Sequence, residues 1–152
     1  MRYRGLIESD VPAIARVHRR ACLIAYSFME WSYSELEVRT WYAVKFKEWN
    51  WGQLAEHNGI AIGFVALTGT RLAQLFVDPD QQNQEVGTTL LNMALSQTLA
   101  KTTLHVFEKN IPARAFYNRH GFREIGRFLN EQEGSVEPVY GRQAQEGDRP
   151  PQ

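Results

Sequence analysis

The chain has 152 residues, a length that fits one domain with a real core. Lysine plus arginine and aspartate plus glutamate each number 17, so no net charge steers it toward nucleic acid or an anionic membrane, and a small partner is expected. The lone Cys22 excludes an intramolecular disulfide and, with no hydrophobic signal segment at the N-terminus, points to a reducing cytoplasm.

Residues 2–8 alternate weakly and predict a first strand that stops at Ser9-Asp10. Ser9 or Asp10 is the expected cap of the next helix, with Pro12 in the first turn, where its missing N–H costs nothing. Ile14, Val17, Ala21, Ile24 and Ala25 give that helix a buried face. Cys22, set among Ala21, Leu23 and Ile24, reads as a buried structural thiol rather than a nucleophile. The run from Ala25 to Trp31 is too apolar for a spacer and too irregular for a helix, which predicts a loop lining a pocket. Two overlapping capping boxes, Ser32 to Glu35 and Ser34 to Glu37, start a second helix that runs to about Lys47. Its neighbourhood is rich in aromatics (Trp41, Tyr42, Phe46, Trp49), which read first as core and second as walls of a ligand pocket. His18 and His120 read as helix-surface residues.

Asn58-Gly59 supplies the positive φ values of a tight turn, so residues 53–56 and 60–67 form a hairpin. Thr68-Gly69-Thr70 makes a second turn, and Arg71 to Val77 a third antiparallel strand that Asp78-Pro79-Asp80 stops. From Gly87 onward, Leu90, Leu91, Ala94, Leu95 and Thr98 line one helical face. The loop from Asp80 to Val86, together with the first helix amides, is an anion cradle, because free N–H groups and the positive helix end both favour phosphate. Thr102 to Phe107 is another strand, Pro112 to His120 a helix closed by Gly121, and Phe122 to Leu129 with Val136 to Arg142 a last hairpin. Residues 143–152 read as a disordered tail after a single domain over 1–142. The fold class is therefore α/β of the α+β type. A mixed, mostly antiparallel central sheet carries helices on both faces, and the crossover makes the Thr102 strand parallel to the Leu75 strand.

Over nearly the whole chain these motifs resemble the GNAT superfamily of N-acetyltransferases. Its strand ending in Leu-x-Val-x-Pro is matched by Leu75-Phe76-Val77-Asp78-Pro79. The loop that follows is Gln82-Asn83-Gln84-Glu85-Val86-Gly87, and every fixed position of its Asn-x-x-Ala-x-x-Phe-Tyr-x-x-x-Gly-Phe block is met by Asn110, Ala113, Phe116, Tyr117, Gly121 and Phe122. The resemblance implies acetyl-CoA in an opening between the two splayed parallel strands, its pantetheine arm bonded along Leu75, Phe76 and Val77 like an added strand. It implies that the Leu75 amide meets the thioester carbonyl and that the amides of Gln82 to Thr88 hold the pyrophosphate. Asn110 would bond the amide arm beside Ala113 and Phe116, and Arg114 or Arg119 would reach toward phosphate. Tyr117 is implied as general acid, a phenol that stays protonated at neutral pH.

The family has no fixed general base; Glu30, Glu56, His105 and Glu108 are candidates on position alone. Tyr26, Glu30, Trp31 and His105 are the candidate acceptor contacts, and no metal ligand set is present. Glu85 departs from the pattern, standing at its first glycine, and is expected to point outward while its amide still donates. Acetyl transfer from acetyl-CoA to a primary amine of a small molecule or protein is the implied activity, in a cytoplasmic enzyme without nucleic-acid or membrane partners. A homodimer stays open, and the rival reading is a non-catalytic acyl-CoA-binding or regulatory module.

Overall fold

The computed structural model describes residues 1–26, 33–81, 85–131 and 134–148. Strand β1 (Arg2–Gly5) leads through a 3-10 turn into helices α1 (Val11–Ala25) and α2 (Glu35–Lys45). Strands β2 (Trp51–His57), β3 (Ile60–Thr68) and β4 (Arg71–Val77) follow, then helix α3 (Val86–Leu95), strand β5 (Thr102–His105), helix α4 (Ile111–Arg119) and the hairpin of β6 (Arg123–Asn130) and β7 (Ser135–Arg142). This is the order of elements read from the sequence. Among the described residues the strands form one seven-stranded sheet, ordered β1-β2-β3-β4-β5-β7-β6. Every junction is antiparallel except β4 against β5.

Local chemistry accounts for the element boundaries. Asn58 and Gly59 turn the β2–β3 hairpin at φ 53° and 78°. The capping box from Ser34 to Glu37 forms, the Glu37 amide donating to Ser34 Oγ and the Ser34 amide to the Glu37 carboxylate, both at 3.1 Å, while Ser32 of the other expected box lies outside the described residues. The expected Asp10 cap does not form. Its carboxylate instead takes the Ile7 amide and both terminal nitrogens of Arg4, tying β1 to the start of α1.

Two cores sit on opposite faces of the sheet. Helices α1 and α2 cover one with Ile14, Val17, Val38 and Tyr42 against Leu54, Ala61 and Phe64. Helices α3 and α4 cover the other, where Val86, Leu90, Leu91 and Leu95 meet Ile62, Val65, Leu67 and Leu104, with Phe116 and Tyr117 packed alongside. Strand β3 feeds both cores, which is why its sequence reads as an almost unbroken apolar run.

Two features differ from simple expectation. Composition predicts disorder from residue 143, yet residues 146–148 make a 3-10 turn whose Asp148 carboxylate takes two hydrogen bonds from the buried Arg142, at 2.7 and 2.9 Å. Arg142 Nε also donates to the His120 carbonyl, so this pair pins the end of α4. Glu85, at the start of α3, adopts φ 60° and ψ 14°, the left-handed region in which glycine is at ease, and its exposed side chain makes no cap hydrogen bond. Its backbone conformation, rather than crowding at a phosphate, is the physical reason a glycine suits this position.

Two stability measurements follow. Glu85→Gly relieves the left-handed strain by about 1 kcal/mol and raises the melting temperature by about 3 °C, as read by calorimetry. Arg142 holds the Asp148 carboxyl below the usual aspartate range through a direct hydrogen bond. The pair's contribution is complete above the unfolded value of about 3.9 and disappears as pH falls through the depressed folded value. Asp148→Asn therefore costs about 3 kcal/mol at pH 7 in urea unfolding, and the gap to the parent chain narrows below about pH 4.

Candidate active site

Strands β4 and β5 share a single paired position, Arg71 with Thr103, supported by the Thr103 amide donating to the Thr70 carbonyl at 3.1 Å. Beyond it β5 stays with β7, where His105 lies opposite Val139 and the Val106 amide bonds to the Pro138 carbonyl. The parallel strands therefore part at their C-terminal ends. A cavity of about 360 Å³ fills the opening, walled by residues 72–76 of β4 and 104–107 of β5 and its exit.

The edge of β4 decides what this gap offers a ligand. The Asp78 amide donates to Ile62 on the β3 side at 2.7 Å. Backbone groups alternate between the two edges of a strand, so Phe76 and Gln74, opposite Phe64 and Ala66, also address β3. Those of Ala73 and Leu75 address the gap.

Where β4 ends, Asp78 is the anchor of the following loop. Its buried carboxylate receives Arg20 Nε at 2.9 Å and the Asp80 amide at 3.0 Å, its carbonyl receives the Gln81 amide, and Arg20 reaches on to Asp80. Gln82, Asn83 and Gln84 lie outside the described residues. The amides of Val86, Gly87 and Thr88 open α3, where helix geometry leaves them without partners inside the helix. A Cβ built on Gly87 would stand 3.6 Å from the Phe116 ring and 3.7 Å from Val77, so α4 passes close to this helix start without requiring glycine there. Thr88 Oγ1 lies 3.4 Å from His120 Nε2.

Helix α4 forms the next wall. Asn110 caps it, its side-chain oxygen accepting from the Ala113 amide while its nitrogen donates to the Tyr26 hydroxyl at 3.4 Å. Asn110, Ala113 and Tyr117 face the cavity, and Phe116 packs edge-on to Tyr117 with ring centroids 5.3 Å apart. Burial pushes the Tyr117 phenol well above its ordinary pKa, so it holds its proton throughout the physiological range. Arg114 is engaged within the fold. Its guanidinium bonds the Tyr140 hydroxyl at 3.0 Å and the Glu108 carbonyl at 2.9 Å, bracing α4 against β7. Arg119 lies over the Phe116 ring at 5.9 Å.

On the other face, α1 and α2 supply His18, Cys22, Tyr26 and Trp41 to the cavity, and the β6–β7 hairpin supplies Asn130 and Glu137. Tyr26 and His105 are thus brought together with Tyr117 and Leu75, whereas Glu30 and Trp31 lie outside the described residues. Two base candidates lie elsewhere: Glu56 pairs with Arg2 and Arg4 at β1, and Glu108 with Arg127 on the surface. His18, expected at the helix surface, stacks on Phe76 with centroids 4.3 Å apart and bonds the buried Tyr42 hydroxyl, which also reaches Gln74 at 3.4 Å. Burial lowers the His18 imidazole to about 4, leaving it neutral. Cys22 is buried, and its thiol is pushed up to about 12 by that burial, which makes it no nucleophile. His18, Gln74, Asn130 and Glu137 escaped the sequence reading because they come from four separate elements. A helical period places His18 one turn before the cavity residue Cys22, the single hint that was present.

Comparison with known proteins agrees with this geometry. Residues 50–124 match the model of the acetyltransferase (GNAT) domain. Over 78 residues the chain is 37% identical to the peptidyl-lysine N-acetyltransferase YjaB of Salmonella typhimurium strain LT2, an alignment covering 51% of this chain and 53% of that protein. The chain thus spans about half the length of the curated relatives it matches. A GCN5-related N-acetyltransferase from Rhodopseudomonas palustris superposes with a TM-score of 0.74 at 18% identity, covering 93% of this chain and 94% of that one. The PaiA N-acetyltransferase of Thermoplasma acidophilum, solved in complex with coenzyme A, superposes at 0.69 with 19% identity over 93% and 98%. In the matched segment the chain is similar to the GNAT acetyltransferases, and its fold continues that likeness on both sides of the segment.

Proposed function

We propose that the chain transfers the acetyl group of acetyl-CoA to a primary amine by direct attack in a ternary complex. The observation that carries this reading is the gap between β4 and β5, with the Leu75 backbone on one side and Tyr117 on another. The pantetheine arm would lie along Leu75, Phe76 and Val77 as an added strand, using backbone groups alone. The pyrophosphate would rest at the α3 start, on the amides of Val86, Gly87 and Thr88 and the loop 82–85 before them. Glu85 does not oppose this, because its carboxylate is exposed and its contribution is a turn of the backbone. Asn110, Ala113 and Phe116 would flank the arm.

Acyl transfer builds negative charge on the thioester oxygen, and the fixed Leu75 amide stabilises it by roughly 3 kcal/mol, the value of comparable oxyanion donors. Tyr117, kept protonated by burial, would give its proton to the departing thiolate. The acceptor enters from the face of α1 and α2, where Trp41 and Phe76 are apolar walls and Glu137 is an acidic one. The relative named as a peptidyl-lysine N-acetyltransferase makes a lysine side chain one acceptor to try alongside small amines. Among the described residues no helix is long and apolar enough to cross a membrane, and no group of histidine, cysteine and acidic residues could hold a metal.

Titration calorimetry with acetyl-CoA, followed by thiol release across small amines and a lysine-containing peptide, tests the reading. Binding and turnover are expected; binding without turnover on any amine would instead identify an acyl-CoA-binding module. Tyr117→Phe should lower kcat by about 100-fold while leaving acetyl-CoA affinity unchanged, and full turnover by this variant at every pH would remove its assigned role.

A further inference from the structure

The acceptor nitrogen arrives as an ammonium at neutral pH and must lose a proton before it attacks. Among the described residues, six titratable side chains line the cavity: His18, Cys22, Tyr26, His105, Tyr117 and Glu137. Cys22 is a buried thiol and Tyr117 a half-buried phenol, both held protonated, Tyr26 is a phenol bonded to Asn110, and His18 is half-buried against Tyr42 and Phe76, where a positive charge is unfavourable. His105 and Glu137 stand together as an imidazole and a carboxylate, at 33% and 23% side-chain exposure, with Nδ1 of the imidazole 3.9 Å from the carboxylate.

Their place in the sheet gives this contact its meaning. His105 lies opposite Val139, and Glu137 is two residues back along β7, on the same face of the sheet. Phe128 on β6 lies opposite Glu137, and its ring is 5.1 Å from the His105 ring. Imidazole, carboxylate and phenyl ring therefore form a row across β5, β7 and β6. Leu104, the neighbour of His105, belongs to the core beneath α3 and α4, as does Tyr140 opposite it. Alternation turns His105 to the other face, the side of Trp41 and His18, whereas Tyr117 packs on the face of Leu104. Acid and histidine thus stand on opposite sides of the gap that the thioester would occupy.

We infer that His105 is the general base of the proposed acetyl transfer, with Glu137 as the positioning residue that holds its Nδ1–H and directs the Nε2 lone pair at the acceptor. The role of the pair rests on the acetyltransferase reading given above. His105 takes one proton from the ammonium and passes it to water at the cavity mouth. The neutral amine then forms the C–N bond, and the tetrahedral intermediate collapses with cleavage of the C–S bond. The second nitrogen proton leaves as the amide forms, while Tyr117 protonates the thiolate and recovers its own proton. Two protons leave nitrogen, one is gained by sulfur and one is released. Glu137 acts as the carboxylate does in a serine-histidine-aspartate triad, by selecting the tautomer and stabilising the imidazolium.

The test compares acceptors that differ in basicity at one pH. Phenethylamine is an ammonium at neutral pH and needs a base; O-benzylhydroxylamine is already neutral and does not. His105→Gln should lose about 100-fold or more in kcat with phenethylamine and keep most of its turnover with O-benzylhydroxylamine. His105→Ala should regain turnover with phenethylamine when free imidazole is added. Glu137→Gln should lower kcat with phenethylamine at unchanged acetyl-CoA affinity, with partial recovery in Glu137→Asp. Glu108→Gln, altered outside the cavity, should behave as the parent chain. Equal losses with both acceptors and no imidazole rescue would overturn the base, as would full turnover of His105→Gln on phenethylamine. No thiol release by the parent chain with either amine or the lysine-containing peptide would overturn the acetyltransferase reading itself.

Discussion

A parallel strand can pair with a neighbour on each edge, and β5 declines one of its two partners. It follows β7 throughout and leaves β4 after a single position. Everything in the site depends on that choice. Had β5 continued beside β4, the Leu75 backbone would be paired within the sheet and no cavity would exist. A buried amide without a partner costs on the order of 1–3 kcal/mol, so an exposed strand edge inside a fold favours any ligand that brings its own amides. The opening also lets chemistry pass through the sheet, with a helix pair on each side controlling one entrance.

The two helix pairs do different work. Helices α3 and α4 present backbone and aromatic surface, and α4 is braced by Arg114 against β7. Helices α1 and α2 present side chains, and α1 is fastened to the mouth of the gap through Arg20 and Asp78. One buried carboxylate therefore holds both the strand end and the helix that faces it. In the proposed reaction a nucleotide cofactor would be held by groups every residue possesses, while the acceptor would be selected by particular side chains.

This division explains what could be read in advance. The fold was legible because its signals are local: Asn58-Gly59 for a hairpin, Ser34 to Glu37 for a helix start, a tight turn at Gly69 forcing β3 and β4 antiparallel. The strand and helix that flank the gap carry contiguous motifs, so the resemblance could point to Leu75, Asn110 and Tyr117, which the structure places at the cavity. The acceptor wall could not. His18, Gln74 and Glu137 are separated by more than fifty positions each and meet only after the sheet has formed. Asp10 misled for a related reason, since an ion partner from another element, Arg4 of β1, outbid the local capping role that its residue type suggests.

Arg142 has a practical bearing on any effort to trim or extend this protein. Its guanidinium joins the last strand, the carbonyl that ends α4 and the Asp148 carboxylate beyond them. A cut after residue 142 would look harmless from composition, yet it would strand a buried cation beside the helix that bears Tyr117. An affinity tag joined there would replace a carboxylate with whatever it happened to bring. Helix α4 is thus sensitive to residues that lie past the end of the sheet, and expression trials are where that sensitivity would first be met.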